Sequence, residues 1–343
     1  MARWRMLAVA AALAGAAAAD ELDAPARARA AVDAAIGASL GADTAQALAD
    51  LNRVPTNEFE GRDAIFRACM NARFAAQPAA EKATAVADPF TASVIATFRA
   101  YWRDALLHPQ DLERAEGRLF ANLQRQLRRT DVADLSSLEP LLKARLAAAG
   151  FHALLGVTSP LRELMLWRHE EKRAYRVKLP DGVHATRVVV LSDFVVLGWA
   201  DFATCGRRGA GGWTTRDALY VVAPRYRSLE DETFRVSFLG HEAQHFADLA
   251  RFPGMPSWEL EYRAKLVELS LADATRADLL VKFAEDQGDD ETHPHSYANK
   301  RVLATMRTAL GLADGADLAS VTADAMRAAA RAALREDTKR RSS

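Results

Sequence analysis

The chain has 343 residues, of which 50% are hydrophobic and 26% charged, a composition typical of a folded globular protein with one or two domains. Its 45 basic residues balance its 45 acidic residues. This balance excludes the strong positive field by which proteins hold nucleic acids or anionic membranes, so no nucleic-acid partner is expected.

The N-terminus has the features of an export signal. Arg3 and Arg5 precede an apolar stretch over 6–14, and small residues at Ala17–Ala19 form a cleavage site. The stretch is shorter than the roughly 20 apolar residues that span a membrane. We therefore predict a signal peptide at 1–19, a periplasmic or secreted mature protein, and no stable membrane span after signal removal.

The chain has two cysteines, Cys69 and Cys205. In an oxidising compartment they would either pair as a disulfide or remain as two buried thiols, and the sequence leaves both alternatives open. Neither lies in a CxxC pair, and neither is expected to bind metal.

From residue 23 to Gly150 the sequence is rich in alanine, with apolar residues at helical spacing. We predict six or seven helices, including 90–107 and 112–127, in a helical domain over 20–150. This domain would act as a substrate platform, a partner-binding module or an inhibitory prosegment, and the sequence does not choose among these roles.

After Gly150 β-branched and alternating runs predict a small sheet, with strands at 175–179, 186–191, 194–197 and 219–222. The glycine-rich segment 207–212 lacks the Gly-Lys-Ser/Thr ending of a phosphate-binding loop and is interpreted as a surface loop. Helices are predicted near 231–250, 257–274, 293–311 and 317–336, with a frayed tail at 339–341. The predicted class is α+β, with a second domain over 151–343.

The segment His241–His245 reads His-Glu-Ala-Gln-His. On a helix this spacing puts two imidazoles one turn apart on one face, with the Glu242 carboxylate beside them. Phe234, Phe238 and Leu249 fall in the same stripe, which predicts that the histidines point inward. The structural alternative is a pair of core histidines that are hydrogen-bonded to the backbone.

A third metal ligand is expected after the turn that ends this helix. The first helix should end near Arg251 and the second begin near Ser257. Two antiparallel helices would bring His245 level with Glu261, so Glu261 is the predicted third ligand and Glu268 the reserve.

His241–His245 followed by Glu261 resembles the gluzincin metallopeptidases, in which a downstream helix supplies a glutamate ligand. The resemblance extends from the strand near Tyr220 to Glu268. The metzincin pattern is excluded, because Asp248 and Arg251 stand where that pattern has Gly and His.

The resemblance implies a zincin-like domain in which zinc (Zn2+) is held by His241, His245 and Glu261, with water at the fourth position. Glu242 would be the general base in the hydrolysis of a peptide or protein substrate. Many gluzincins have an acidic residue where this chain has Lys265. Support for the ligating histidines is therefore expected from Asp248 or Glu268.

The turn that opens the next helix supplies candidates for stabilising an oxyanion. His295 and Tyr297 are the preferred donors, and the alternative is a polar loop that ends in a helix cap. Upstream, the segment between Gly198 and Tyr220 lies where a zincin would have an edge strand to which an extended peptide adds.

A second function from another class stays open at this point. The chain would then be a non-catalytic exported scaffold or binding protein that has kept a zincin-like core. The intact Glu242 favours the enzyme, because the base would be lost early once hydrolysis was no longer needed. The sequence determines neither the substrate nor the oligomeric state.

Overall fold

The structure, a computed structural model, describes residues 24–75, 86–215 and 218–342. The predicted signal peptide at 1–19 lies outside the described residues. The described residues form helices and one five-stranded sheet, which confirms the predicted α+β class. The chain divides into two compact units, one containing residues up to 169 with 193–210 and the other containing 170–192 with 211 onward. That the chain folds as two separate domains with a boundary at residue 150 stays a prediction.

The first unit begins with helices, as the spacing of its apolar residues predicts. Asp43, Asp88 and Asp134 cap three of these helices, because their side chains accept hydrogen bonds from backbone N–H groups of the first turn. In the described part of 24–150 there are six α-helices, within the predicted number: α1 (Ala24–Leu40), α2 (Thr44–Arg53), α3 (Gly61–Arg73), α4 (Pro89–Leu107), α5 (Leu112–Leu127) and α6 (Leu135–Ala148).

The core of the first unit is apolar, with Trp102, Leu119 and Leu142 almost fully buried. A short helix, α7 (Trp199–Ala203), also belongs to this unit. A disulfide between Cys69 and Cys205 joins α3 to the segment that follows α7. Of the two alternatives left open by the sequence, the structure therefore has the paired cysteines.

The sheet is larger than predicted, because residues 152–158 and 161–174 also form strands. Leu161–Trp167 is buried at nearly every position, so it lacks the alternation by which half-buried strands are recognised. The predicted strands 186–191 and 194–197 belong to one continuous strand, within which Asp193 has a positive φ of 57°. The strands follow the order β1-β2-β3-β5-β4: β1 (His152–Thr158), β2 (Leu161–Leu179), β3 (Gly182–Leu197), β4 (Gly212–Thr214) and β5 (Leu219–Val222).

In the second unit β3 pairs in parallel with β5, and β4 pairs antiparallel with β5 at the end of the sheet. The interpretation of 207–212 as a surface loop is wrong at Gly212, which belongs to β4. A side chain at this position would meet the Tyr220 carbonyl oxygen at 2.3 Å and the Phe238 ring at 2.4 Å. Only glycine therefore allows β4 to pair this close to the aromatic core.

Helices form the rest of the second unit, with three departures from prediction. The expected helix 231–250 contains a π-helical segment, Arg235–Gly240, and helix 276–285 was absent from the predicted segments. The tail 339–341 is helical rather than frayed, because Arg341 forms ion pairs with Glu259 and Asp337. The helices are α8 (Glu232–Phe234), α9 (His241–Arg251), α10 (Ser257–Leu271), α11 (Arg276–Glu285), α12 (Pro294–Ala309) and α13 (Ala323–Ser342).

Candidate metal centre

His241 and His245 lie on consecutive turns of α9, as their spacing predicts, and their rings are 4.6 Å apart. The π-helical segment ends immediately before His241, a kind of irregularity that is frequent at functional sites. The predicted inward stripe is only partly correct. Phe234 and Phe238 are buried, whereas Leu249 is 46% exposed.

Glu261 reaches the two histidines from α10. The chain leaves α9 at Arg251, turns through Gly254 at a positive φ of 83°, and re-enters a helix at Ser257. The imidazole nitrogens of His241 and His245 and a carboxylate oxygen of Glu261 lie within 4.8 Å of one another. The structure thus brings together the three residues that the sequence predicted as metal ligands.

The separations within this cluster can be compared with those in a metal site. Nε2 of His241 lies 3.5 Å from Oε2 of Glu261, and Nε2 of His245 lies 3.3 Å from Oε1. Two ligands each about 2.1 Å from a tetrahedral zinc ion are about 3.4 Å apart. Oε2 of Glu261 is buried and accepts no well-aligned hydrogen bond within the described residues. The donor set and spacing therefore fit a zinc ion.

The charges around the cluster favour a cation between the carboxylates. Burial lowers the pKa of His241, but the carboxylates of Glu261 and Glu268 outweigh burial and raise it to about 10. Burial also raises the pKa of Glu261, yet the imidazoles of His241 and His245 hold that pKa below its usual value. A positive charge shared by these groups stabilises the site, and a proton or a metal ion would supply it.

Glu268 and Asp248, the two carboxylates considered for support, have different partners. Nδ1 of His241 donates a 2.7 Å hydrogen bond to Oε1 of the buried Glu268. This bond orients the ring so that Nε2 faces Glu261, as expected of the partner of a ligating histidine. Asp248 instead accepts a 2.9 Å hydrogen bond from the buried Arg263.

Lys265, the departure from the gluzincin pattern, is buried beside the cluster. Its Nζ lies 3.7 Å from Oε2 of Glu261 and 4.9 Å from the centre of the Phe283 ring. Burial lowers the pKa of Lys265, against the attraction of Glu268 and Glu261. The lysine therefore places a cationic group next to an oxygen of Glu261, the predicted third ligand.

Glu242 is half-buried and accepts a hydrogen bond from Oγ1 of Thr214 on the edge strand β4. The negative charge of Glu242 also acts on Tyr226, since burial and then this charge raise the pKa of the Tyr226 hydroxyl. Sequence reasoning missed both residues. The only local signal was a short polar and aromatic run after Gly211, which does not reveal a neighbour 28 positions away.

His295 and Tyr297, the predicted donors, make different contacts. Nδ1 of His295 lies 2.8 Å from Oε2 of Glu261, and the histidine side chain is 68% exposed. The ring of Tyr297 instead contacts Trp258 edge-on at 5.2 Å, and Arg301 lies over its face. The structure thus brings His295 to the cluster and directs the ring contacts of Tyr297 elsewhere.

No protein-family model, curated protein or solved structure matches this chain. Within the described residues no helix is both long enough and apolar enough to cross a membrane.

Proposed function

We propose that this chain is an exported zinc-dependent hydrolase of peptide bonds, with a zincin-like second domain of the gluzincin type. The observation that carries the proposal is the clustering of His241, His245 and Glu261 within 4.8 Å, with Glu242 adjacent in the same helix. Two histidines and a glutamate are the ligand set of several zinc peptidases. The hydrogen bond from His241 to Glu268 adds the support that ligating histidines have in such sites.

Zinc bound here would supply a Lewis acid that acidifies a water molecule and polarises a carbonyl group. Glu242 would accept the proton of that water and later deliver it to the leaving amine. Thr214 donates to the Glu242 carboxylate and so restrains the base. This restraint ties the base to β4, the edge strand beside which an extended peptide substrate would pair.

His295 is retained as the donor to the oxygen on which charge develops. Its Nδ1 faces Glu261 at 2.8 Å, and its side chain is exposed enough to meet a substrate from solvent. Tyr297, the second predicted donor, is close in sequence, and its ring contacts favour a role in binding the substrate rather than in the reaction.

A periplasmic or secreted location is part of the same proposal. It is supported by the disulfide between Cys69 and Cys205, since disulfides persist in oxidising compartments.

The alternative, a non-catalytic scaffold or binding protein, is favoured by one observation. Lys265 and His295 both approach Oε2 of Glu261, at 3.7 Å and 2.8 Å. These groups would balance the Glu261 carboxylate without a metal ion. Metal content therefore decides between the two functions.

The first test is zinc per chain by elemental analysis of the purified protein, beside Glu261→Ala and the control Glu285→Ala on the exposed end of α11. We expect one zinc in the parent and the control, and markedly less in Glu261→Ala. A parent that stays metal-free after incubation with zinc would exclude the hydrolase. Hydrolysis of unfolded protein substrates that disappears in Glu242→Gln, with zinc retained, would establish the role of the base.

A further inference from the structure

A groove of about 790 Å³ lies in the second unit, between helices α10, α12 and α13. Its volume is within the range of ligand-binding sites, roughly 300 to 1,000 Å³. Trp258 and Tyr262 give it an aromatic wall, and alanines such as Ala304 and Ala333 keep it wide. No step of the proposed reaction uses this groove.

The groove shares helices α10 and α12 with the candidate metal centre. Trp258, on its wall, lies three residues before Glu261 in α10, so the two side chains emerge one turn apart on neighbouring parts of one face. On α12, Tyr297 follows His295 by two residues, and its ring packs edge-on against Trp258 at 5.2 Å. A substrate that extends from the metal cluster along α12 would therefore reach this aromatic pair first.

Arg301 follows the aromatic pair. Its guanidinium lies 3.1 Å from the centre of the Tyr297 ring and 5.6 Å from that of Trp258. One N–H donates to the Tyr297 carbonyl oxygen at 3.3 Å. An arginine has five N–H donors in a planar fork that matches a carboxylate, so the remaining donors can bind one.

The other charged residues that line the groove are already paired. Arg340 and Arg341 form ion pairs with Asp337, and Glu336 lies 3.8 Å from Lys339. In the described part of the chain, no carboxylate lies within 4.0 Å of Arg301. Arg301 also lowers the pKa of Asp289, but the Asp289 carboxylate pairs with Lys300 at 2.6 Å. Arg301 is therefore the cation that the groove offers to a ligand.

The spacing along α12 sets the length of the ligand. Arg301 is six residues beyond His295, and at 1.5 Å per residue this is about 9 Å along the helix. An extended peptide covers that distance in about three residues, at roughly 3.3 Å per residue.

We propose that the groove is a specificity subsite for an acidic side chain of a peptide substrate, about three residues from the scissile bond. Arg301 pairs with the Asp or Glu carboxylate, and Trp258 and Tyr262 pack against the apolar part of the peptide. This assignment rests on the proposed hydrolase function, and the experiment below separates the failure of one from the failure of the other.

Binding is measured first, in the zinc-loaded Glu242→Gln variant so that the peptides stay intact. The probes are fluorescein-labelled, C-terminally amidated peptides that differ only in one Glu or Gln, and the readout is fluorescence anisotropy. Amidation removes the terminal carboxylate as a second anion. We expect the Glu peptide to bind about tenfold more tightly than the Gln peptide, as a charge-assisted bidentate contact allows.

Three further substitutions test which groups carry this preference. Arg301→Met should abolish it, and Ala304→Trp, on an exposed position of the lining, should fill the groove and weaken binding of both peptides. Lys300→Met is the matched control, because it removes one positive charge from the same helix outside the groove. Equal affinities for the two peptides, or an equal loss in Lys300→Met and Arg301→Met, would overturn the proposal.

Cleavage is then mapped by mass spectrometry with the active protein and a degenerate peptide mixture. The subsite predicts enrichment of Asp or Glu about three residues from the cut, and loss of this enrichment in Arg301→Met with neutral peptides still cleaved. If no peptide is cleaved while binding still depends on Arg301, the hydrolase function is refuted, and with it the assignment of the groove as a substrate subsite. Cleavage without acidic enrichment would discard the subsite alone.

Discussion

The two units differ in the charges that they bury. In the described residues of the first unit, Glu163 is the one buried acidic or basic side chain. The second unit buries seven: His241, Asp248, Glu261, Arg263, Lys265, Glu268 and Asp337. Because a buried charge is unfavourable unless it is paired, a group of seven needs a network, and this network surrounds the candidate metal centre. The second unit thus gives up apolar packing for a polar site, whereas the first buries such a group only at Glu163.

The largest expected effect comes from breaking the network of the second unit. Arg263 is almost fully buried and bridges Asp248 of α9 at 2.9 Å and Asp337 of α13 at 2.6 Å. Arg263→Met leaves both carboxylates without this partner. We expect a loss of about 3–5 kcal/mol in the free energy of unfolding, measured by urea denaturation.

The control for this prediction is Arg335→Met, which removes an exposed arginine from α13. Its effect should stay within about 0.5 kcal/mol. Similar losses in the two variants would contradict the view that the network stabilises the second unit.

Glu163 makes the stability of the first unit depend on pH. Its carboxylate accepts backbone hydrogen bonds from Leu164 and Trp199, but burial outweighs them and raises its pKa from 4.5 to about 7. Gly198, at a positive φ of 95°, is needed here, because a side chain there would lie 2.8 Å from the Glu163 carboxylate.

Between pH 4.5 and 7 the folded protein holds a proton on Glu163 that the unfolded chain has lost, so stability falls as the pH rises through this window. The loss from this group is at most about 3 kcal/mol. Glu163→Gln should flatten the curve of unfolding free energy against pH and stabilise the protein at pH 8. An unchanged slope between pH 5 and 8 would show that Glu163 is ionised throughout.

A smaller effect is expected at the partner of His241. Glu268→Gln keeps the shape of the side chain and removes its charge. Zinc affinity, measured by competition with a chelator, should fall about 10- to 100-fold, as is typical when the partner of a ligating histidine is changed. Glu285→Gln, the same kind of change at an exposed position of α11, should leave it unchanged. An unaltered affinity in Glu268→Gln would mean that the hydrogen bond to His241 does not support metal binding.

Local patterns predicted much of the fold. The spacing of apolar residues indicated the helices of the first 150 residues, because helix periodicity is a property of neighbours in sequence. It did not reveal the first half of β2, because a strand buried on both faces lacks alternation. It also missed β1, which is mostly half-buried or exposed and whose burial does not alternate either. Nor did it reveal that the tail at 339–341 is helical, because Glu259, which pairs with Arg341, lies on α10, far away in the sequence.

By itself the sequence determined the pair of imidazoles one turn apart and a glutamate that an antiparallel helix brings level with them. Both follow from fixed helix geometry and a short turn. Tertiary structure alone decided that Glu268 rather than Asp248 faces His241, that Lys265 is buried beside Glu261, and that Thr214 holds Glu242. These pairings join residues from different elements. The angle and the distance at which elements pack are not determined by any local sequence pattern.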